Sequence, residues 1–178
     1  MKTWMISKTA KSILSKVIGI GLATSMAFVG ATTTVYAKKI TLHGASQFDE
    51  THSYTRLMRR FEELTKMYYN GPDELEFVMH LNSELGLEKD YVAYMNQGIS
   101  VDYAVASPSH MSTFSQMATL MDPPMLFRDP AHWSKVLTSG VFGPIEEDIY
   151  KRADIKIIGY GGGGIRHLIV NKPVSNMS

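Results

Sequence analysis

An arginine in an apolar segment is the side chain in this sequence best suited to recognising a ligand. Arg166 lies between Ile165 and His167, in strand-like surroundings where a guanidinium is costly unless it is paired. An arginine that extends from a strand into a polar crevice suits the binding of a carboxylate through two parallel hydrogen bonds. An internal salt bridge to an Asp or Glu explains the same residue equally well, so the sequence leaves both interpretations open.

A serine and a histidine that follow a short apolar segment suggest a second kind of chemistry. Ser107 and His110 belong to the run Ser-Pro-Ser-His, which comes directly after the predicted strand ending at Ala106. The sequence has no Gly-x-Ser-x-Gly elbow of the type that presents a nucleophile in α/β-hydrolases. A serine at the end of a strand is more often a binding residue, so we predict no enzyme and keep a hydrolase as the alternative.

Neither a metal nor a cofactor is predicted. The six histidines include no pair spaced by four residues and no His-Glu-x-x-His motif, and the chain contains no cysteine. Residues 161–164 are four consecutive glycines, which could suggest a phosphate-binding loop. They lack the Lys-Ser/Thr of such a loop and precede strand-like residues instead of a helix.

The hydrophobic periodicity predicts an α/β fold. The chain alternates between segments with a period of two and segments with a helical stripe, which is typical of a mainly parallel sheet with helices packed on it. The predicted strands are 39–42, 75–79, 101–106, 155–160 and 167–170, and the predicted helices are 54–68, 87–95, 111–121, 131–137 and 145–151. Residues 43–50 are predicted to form a loop. Loops at the carboxyl ends of such strands are where ligands bind.

The first 37 residues have the three parts of a secretory signal peptide. Four lysines lie among residues 1–16, an apolar run extends from Val17 to about Ala31, and the small residue Ala37 ends a small-x-small exit that begins at Val35. The apolar run is shorter than the roughly 20 residues of a membrane-spanning helix, so a signal peptide is favoured over an anchor. Residues 38–178 then form the mature chain, which we expect to be periplasmic and not membrane-spanning.

Charge excludes nucleic acid as a partner. Four of the 18 basic residues lie within residues 1–37, whereas none of the 17 acidic residues does. The mature chain is therefore mildly acidic and has no basic stripe that could follow a phosphate backbone.

Several segments resemble, in order, the TRAP-transporter solute-binding proteins of the DctP family. Asn82–Gly86 and Gln97–Ser107 are similar to the family pattern N-x-Q-L-G followed by G-x-x-D and a serine. Asp122–Asp129 is similar to its "lPflFrd" segment, and Gly164–Val174 to its G-x-R segment with a following Lys-Pro-Val. The resemblance covers the whole mature chain, and its specificity comes from the order of the segments.

The resemblance implies a periplasmic-binding-protein-like lobe that takes part in capturing a small organic acid for TRAP membrane subunits driven by an ion gradient. It also implies a ligand site. The residues implied for this site are His43, Gln47, Glu88, Ser107 and Arg166. The chain ends before the family's second arginine-bearing segment, its second lobe and its hinge helix. The resemblance therefore predicts a fragment that lacks the second lobe, and a remnant that binds nothing is the remaining alternative.

Export predicts a defined mature N-terminus. Cleavage after Ala37 should yield a secreted protein that begins at Lys38, because the small-x-small exit fits the signal peptidase. Mass spectrometry of the intact secreted protein measures this directly. A membrane-bound product that retains Lys2–Lys16 would contradict the signal-peptide interpretation.

Overall fold

A computed structural model describes residues 37–162, 164 and 169–172, and the backbone of residues 2–6. The strands are β1 (Lys2–Ile6), β2 (Lys39–Ala45), β3 (Glu74–His80), β4 (Tyr103–Ala106) and β5 (Lys156–Gly161). The helices are α1 (Ser53–Tyr68), α2 (Glu88–Gln97), α3 (Pro130–Thr138) and α4 (Gly143–Ala153). Two short 3₁₀ helices, Pro108–Met111 and Gln116–Met121, follow β4. Within these described ranges, every helix is too short or too polar to cross a membrane.

The five strands form one mixed sheet in the order β3-β2-β4-β1-β5. Strand β2 pairs in parallel with both β3 and β4. Strand β1 pairs antiparallel with β4 on one side and with β5 on the other. Its residues belong to the predicted signal peptide, so a mature chain that begins at Lys38 would lack β1 and keep β2, β3, β4 and β5. The predicted α/β class with a parallel sheet is therefore confirmed, and parallel pairing places the carboxyl ends of β2, β3 and β4 at one edge of the sheet.

Strand β4 is buried on both faces, and its four residues alternate between two cores. Ala104 and Ala106 pack with α2 and α4, whereas Tyr103 and Val105 pack with α1. Because Ala104 and Ala106 are small, helices α2 and α4 can approach the sheet closely. The alternation follows from the period of two in an extended chain, which sends successive side chains to opposite faces.

Two helix boundaries match the sequence signals closely. Gly98 ends α2 in the left-handed conformation, with φ 70°, and its amide donates to the carbonyls of the last turn. The Asp129 carboxylate caps α3 by accepting from the amide of His132 at 2.7 Å, and Pro130 occupies the first turn. These ends are encoded locally.

The predicted strand 167–170 lies partly outside the described residues, and residues 169 and 170 form no strand. Two other local predictions were wrong. Residues 43–45 belong to β2 and not to a loop, because each pairs in register with a residue of β3 although His, Gly and Ala are weak strand formers. The predicted helix 111–121 is two 3₁₀ helices, with Ser115 between them. Ser115 is buried and donates from its hydroxyl to Asp148 of α4 at 2.5 Å, which interrupts the helical path.

The close approach of Tyr103 to Gly44 gives a stability prediction. A Cβ at position 44 would lie 2.3 Å from Cζ of Tyr103, a buried ring that cannot move aside easily. We expect Gly44→Ala to lower the free energy of unfolding by about 1–3 kcal/mol, the usual cost of overpacking. Urea denaturation of the mature protein measures this. Gly143→Ala is the matched control, since a Cβ there meets nothing within 4 Å; equal effects of the two substitutions would contradict the steric argument.

Candidate functional site

The loops that follow β2 and β3 are joined by backbone hydrogen bonds. The amide of Ser46 donates to the carbonyl of His80 at 2.9 Å, and the amide of Asn82 donates to the carbonyl of Phe48 at 3.1 Å. Asn82 and Ser83 both have positive φ values, 52° and 61°, which is uncommon for residues other than glycine. The loop after β3 is thereby bent back over the loop after β2, and Gln47 is held near the start of α2.

Glu88 is the centre of the candidate site. It is the first residue of α2 and is only 2% exposed. Its carboxylate accepts from the backbone amide of Ser107 at 2.8 Å and from Nε2 of Gln47 at 3.3 Å, and it lies 3.3 Å from Nε2 of His110. A buried carboxylate is tolerated only when donors of this kind surround it, and the first turn of a helix adds favourable partial positive charge.

Tyr91 packs one turn further along α2, beside Glu88. Burial, followed by the nearby Glu88 carboxylate, raises the pKa of Tyr91 well above its usual range. The phenol therefore stays protonated, and its hydroxyl donates to the carbonyl of Val105 at 3.3 Å. This hydrogen bond attaches α2 to β4 immediately before the strand delivers Ser107 to the site.

The hydroxyl of Ser107 interacts with other members of its own loop region. It hydrogen-bonds the Ser109 hydroxyl at 2.9 Å and donates to the carboxylate of Asp122. Neither contact is with His110, whose Nε2 is directed at Glu88 instead. A serine nucleophile needs an adjacent base to take its proton. Among these described residues, Ser107 and His110 are therefore not paired in the way that the alternative hydrolase interpretation requires.

His43 lies apart from this group. It sits within β2, and its Nδ1 is 3.1 Å from Nε2 of His80, whose own Nδ1 is 2.9 Å from a carboxylate oxygen of Glu84. The backbone amide of His43 donates to the carboxylate of Asp102 at 2.9 Å. The structure thus brings together Gln47, Glu88 and Ser107. His43 instead belongs to a separate group with His80 and Glu84.

One predicted site residue lies outside the described part of the chain, and two contacts that contribute to the site were not predicted from the sequence. Arg166 lies outside the described residues, so its role stays a prediction. Asp122 as a partner of Ser107 and His110 as a partner of Glu88 are not predictable from the sequence, since no local pattern links residues that lie 15 and 22 positions apart in the chain. Within the described ranges, no group of three or more His, Asp or Glu side chains is arranged to hold a metal ion.

Comparison with known proteins identifies the family. Residues 44–178 match the family described as bacterial extracellular solute-binding protein, family 7, or DctP. The chain belongs to this family. A solute-binding protein of Sulfitobacter sp. strain NAS-14.1 is 48% identical over 143 residues, which cover 80% of this chain and 42% of the relative. The predicted DctP resemblance is therefore confirmed.

Solved structures of TRAP periplasmic solute-binding proteins agree with the fold. A crystal structure of a TRAP periplasmic solute-binding protein from Sulfitobacter sp. NAS-14.1, with bound α-D-taluronate, is 48% identical with a TM-score of 0.68. It covers 71% of this chain, which spans 40% of that structure. Another crystal structure from the same organism, with bound β-D-galacturonate, is 17% identical and has a TM-score of 0.56. The match covers 64% of this chain and 37% of that protein. At this identity it shows a shared fold alone. The chain therefore spans about two-fifths of the length of these relatives.

Removal of the Glu88 carboxylate should destabilise the fold. Glu88→Ala leaves the buried amide of Ser107 without this acceptor, and such a loss costs roughly 1–3 kcal/mol. We expect the free energy of unfolding, measured by urea denaturation of the mature protein, to fall by about 2 kcal/mol. Glu147→Ala is the control, since Glu147 is exposed and only forms a surface pair with Lys151. An effect of Glu88→Ala no larger than that of the control would show that the carboxylate does not organise these loops.

Proposed function

We propose that this protein is a periplasmic solute-binding protein that captures a small organic acid, of the sugar-acid class, and delivers it to TRAP membrane subunits. Membership of the DctP family and the taluronate-bound relative at 48% identity support this proposal, and the latter observation carries the choice of sugar acid. Export by the predicted signal peptide would bring the mature chain to the compartment where such a ligand is met.

The buried cluster around Glu88 supports a binding role for the edge of the sheet. Polar side chains from three separate segments meet there, namely Gln47, Glu88 and Ser107, at the carboxyl ends of parallel strands. In open α/β sheets this edge is the usual position of a ligand crevice. Each of the three residues was also implied by the family resemblance.

The ligand carboxylate is assigned in this proposal to Arg166. The residues described in the cluster are neutral or acidic apart from His110, so they do not supply a permanent positive charge. A guanidinium does, and it can hold both carboxylate oxygens at once. Transport then requires no bond to be made or broken in the ligand.

Calorimetric titration of the full-length mature protein with a panel of organic acids tests the function. We expect saturable binding of α-D-taluronate or a related hexuronate, and a loss of about tenfold or more in affinity for Arg166→Ala, because a charge-assisted hydrogen-bonded pair contributes about 1.5–3 kcal/mol. Arg152→Ala is the matched control, since Arg152 is exposed on α4 and pairs with Asp148. Failure of every acid in the panel to bind would refute the proposed function; equal affinity losses for the two arginine variants would remove Arg166 from the site.

A further inference from the structure

The first residue of the predicted mature chain is hydrogen-bonded to the start of β3 through both of its backbone polar groups. The amide nitrogen of Lys38 donates to Oδ1 of Asp73 at 3.1 Å. The carbonyl of the same residue accepts from the amide of Glu74 at 3.0 Å. The backbone of Lys38 is therefore fixed in place, although Lys38 and the preceding Ala37 are both exposed.

Cleavage after Ala37 changes the chemistry of one of these two contacts. Hydrolysis adds the hydroxyl of a water molecule to the carbonyl carbon of Ala37 and leaves the remaining hydrogen of that water on the nitrogen of Lys38. This nitrogen is then a primary amine. An α-amino group has an ordinary pKa of about 7.7–8.0, so at pH 7 it takes up a further proton. A charged ammonium thereby replaces a neutral amide at the atom that contacts the carboxylate of Asp73.

We propose that signal-peptide cleavage creates an ion pair between the α-amino group of Lys38 and the carboxylate of Asp73, which holds the mature N-terminus against β3. This inference rests on the predicted cleavage site and is independent of any ligand. Chain termini are poorly ordered unless they are held to the rest of the fold. Strands β2 and β3 are parallel, so the tight turn that joins an antiparallel hairpin is not available to fix their first residues. The ion pair supplies that constraint.

The charges around this pair favour it. Nζ of Lys39 lies 2.9 Å from a carboxylate oxygen of Glu76, so this neighbouring ammonium is engaged away from Asp73. Glu74 follows Asp73 in the chain and adds negative charge at the start of β3. The like charges of the Lys38 and Lys39 side chains oppose the pair, but both residues are exposed and salt screens them. A carboxylate beside an ammonium favours its charged form, so the pKa of the new α-amino group should be raised.

The chemical reactivity of the mature N-terminus tests this inference. The full-length mature protein, as wild type and as Asp73→Asn, is exposed briefly to an acetylating reagent at pH 7. Mass spectrometry of its N-terminal peptide then gives the rate at which the α-amino group of Lys38 is acetylated. Only the uncharged amine reacts, so an ion pair slows the reaction. We expect the wild type to react about two- to fivefold more slowly than Asp73→Asn, the range that corresponds to an exposed ion pair.

A protein that keeps Ala37 in front of Lys38 is the matched control. Its α-amino group lies one residue further away and the nitrogen of Lys38 is again a neutral amide, so Asp73→Asn should change its acetylation rate by a smaller factor. Glu147→Gln removes an exposed acid that pairs with Lys151 and should leave the rate of the mature protein unchanged. In the wild type alone, raising NaCl from about 0.01 M to about 1 M shortens the screening length about tenfold and should speed the reaction.

The outcomes separate this inference from the proposed function. Equal acetylation rates for the wild type and Asp73→Asn, or a wild-type rate that does not respond to salt, overturn the ion pair. A mature N-terminus at a residue other than Lys38 overturns it as well. These outcomes leave acid binding intact, whereas failure of every acid to bind refutes the proposed function and leaves the ion pair intact. The salt dependence of the wild type decides the inference even if Asp73→Asn fails to fold.

Discussion

The enclosure of one carboxylate, Glu88, is the constraint that the arrangement of the site depends on. Burial of a charge is tolerated only when hydrogen-bond donors replace the lost water, and here the donors come from the loops after β2 and β4. Neither loop can move independently of α2 without leaving part of that charge unsolvated. Even the start of the helix is fixed, since the amide of Leu87 donates to the carboxylate of Asp90 at 2.8 Å.

The opposite face of β4 is fixed by a second buried acid. The hydroxyl of Tyr103 donates to Glu62 of α1 at 2.5 Å, and Arg59 contacts the same carboxylate at 3.3 Å. Burial, followed by the hydrogen bond to Glu62, raises the pKa of Tyr103 well above its usual range, so the phenol remains a donor. The ring lies directly over Gly44 of β2. Strand β4 is thus held by α1 on one face and by α2 on the other, which gives Ser107 a rigid support.

The sequence predicts the elements of this fold better than it predicts their contacts. Helix α1 and the end of α2 at Gly98 follow from local signals, a hydrophobic stripe and a glycine in the left-handed conformation. Residues 43–45 form a strand only because β3 lies beside them, and such tertiary pairing leaves no mark on their composition. The two 3₁₀ helices depend on the contact of Ser115 with a distant helix, which periodicity does not reveal.

The same distinction applies to the site. Glu88 near a helix start is explained by the helix dipole alone, and only the family resemblance implied a binding role for it with Gln47 and Ser107. The partners that complete the cluster, His110 and Asp122, come together through the folding of the segment after β4. Their spacing in the chain matches no motif, so a single sequence does not connect them.

An acidic centre in a protein that is proposed to bind acids has a consequence for selectivity. Discrimination between two ligands is a difference between two binding free energies, and a group that repels the wrong ligand contributes as much as one that attracts the right one. Glu88 and Asp122 place negative charge beside Ser107, so a ligand with a carboxylate at each end would bring like charges together in a region of low dielectric. A ligand with one carboxylate and a hydroxylated body avoids that cost. Under the proposed function, the carboxylates that hold the loops in place would therefore also favour a ligand whose two ends differ in chemistry.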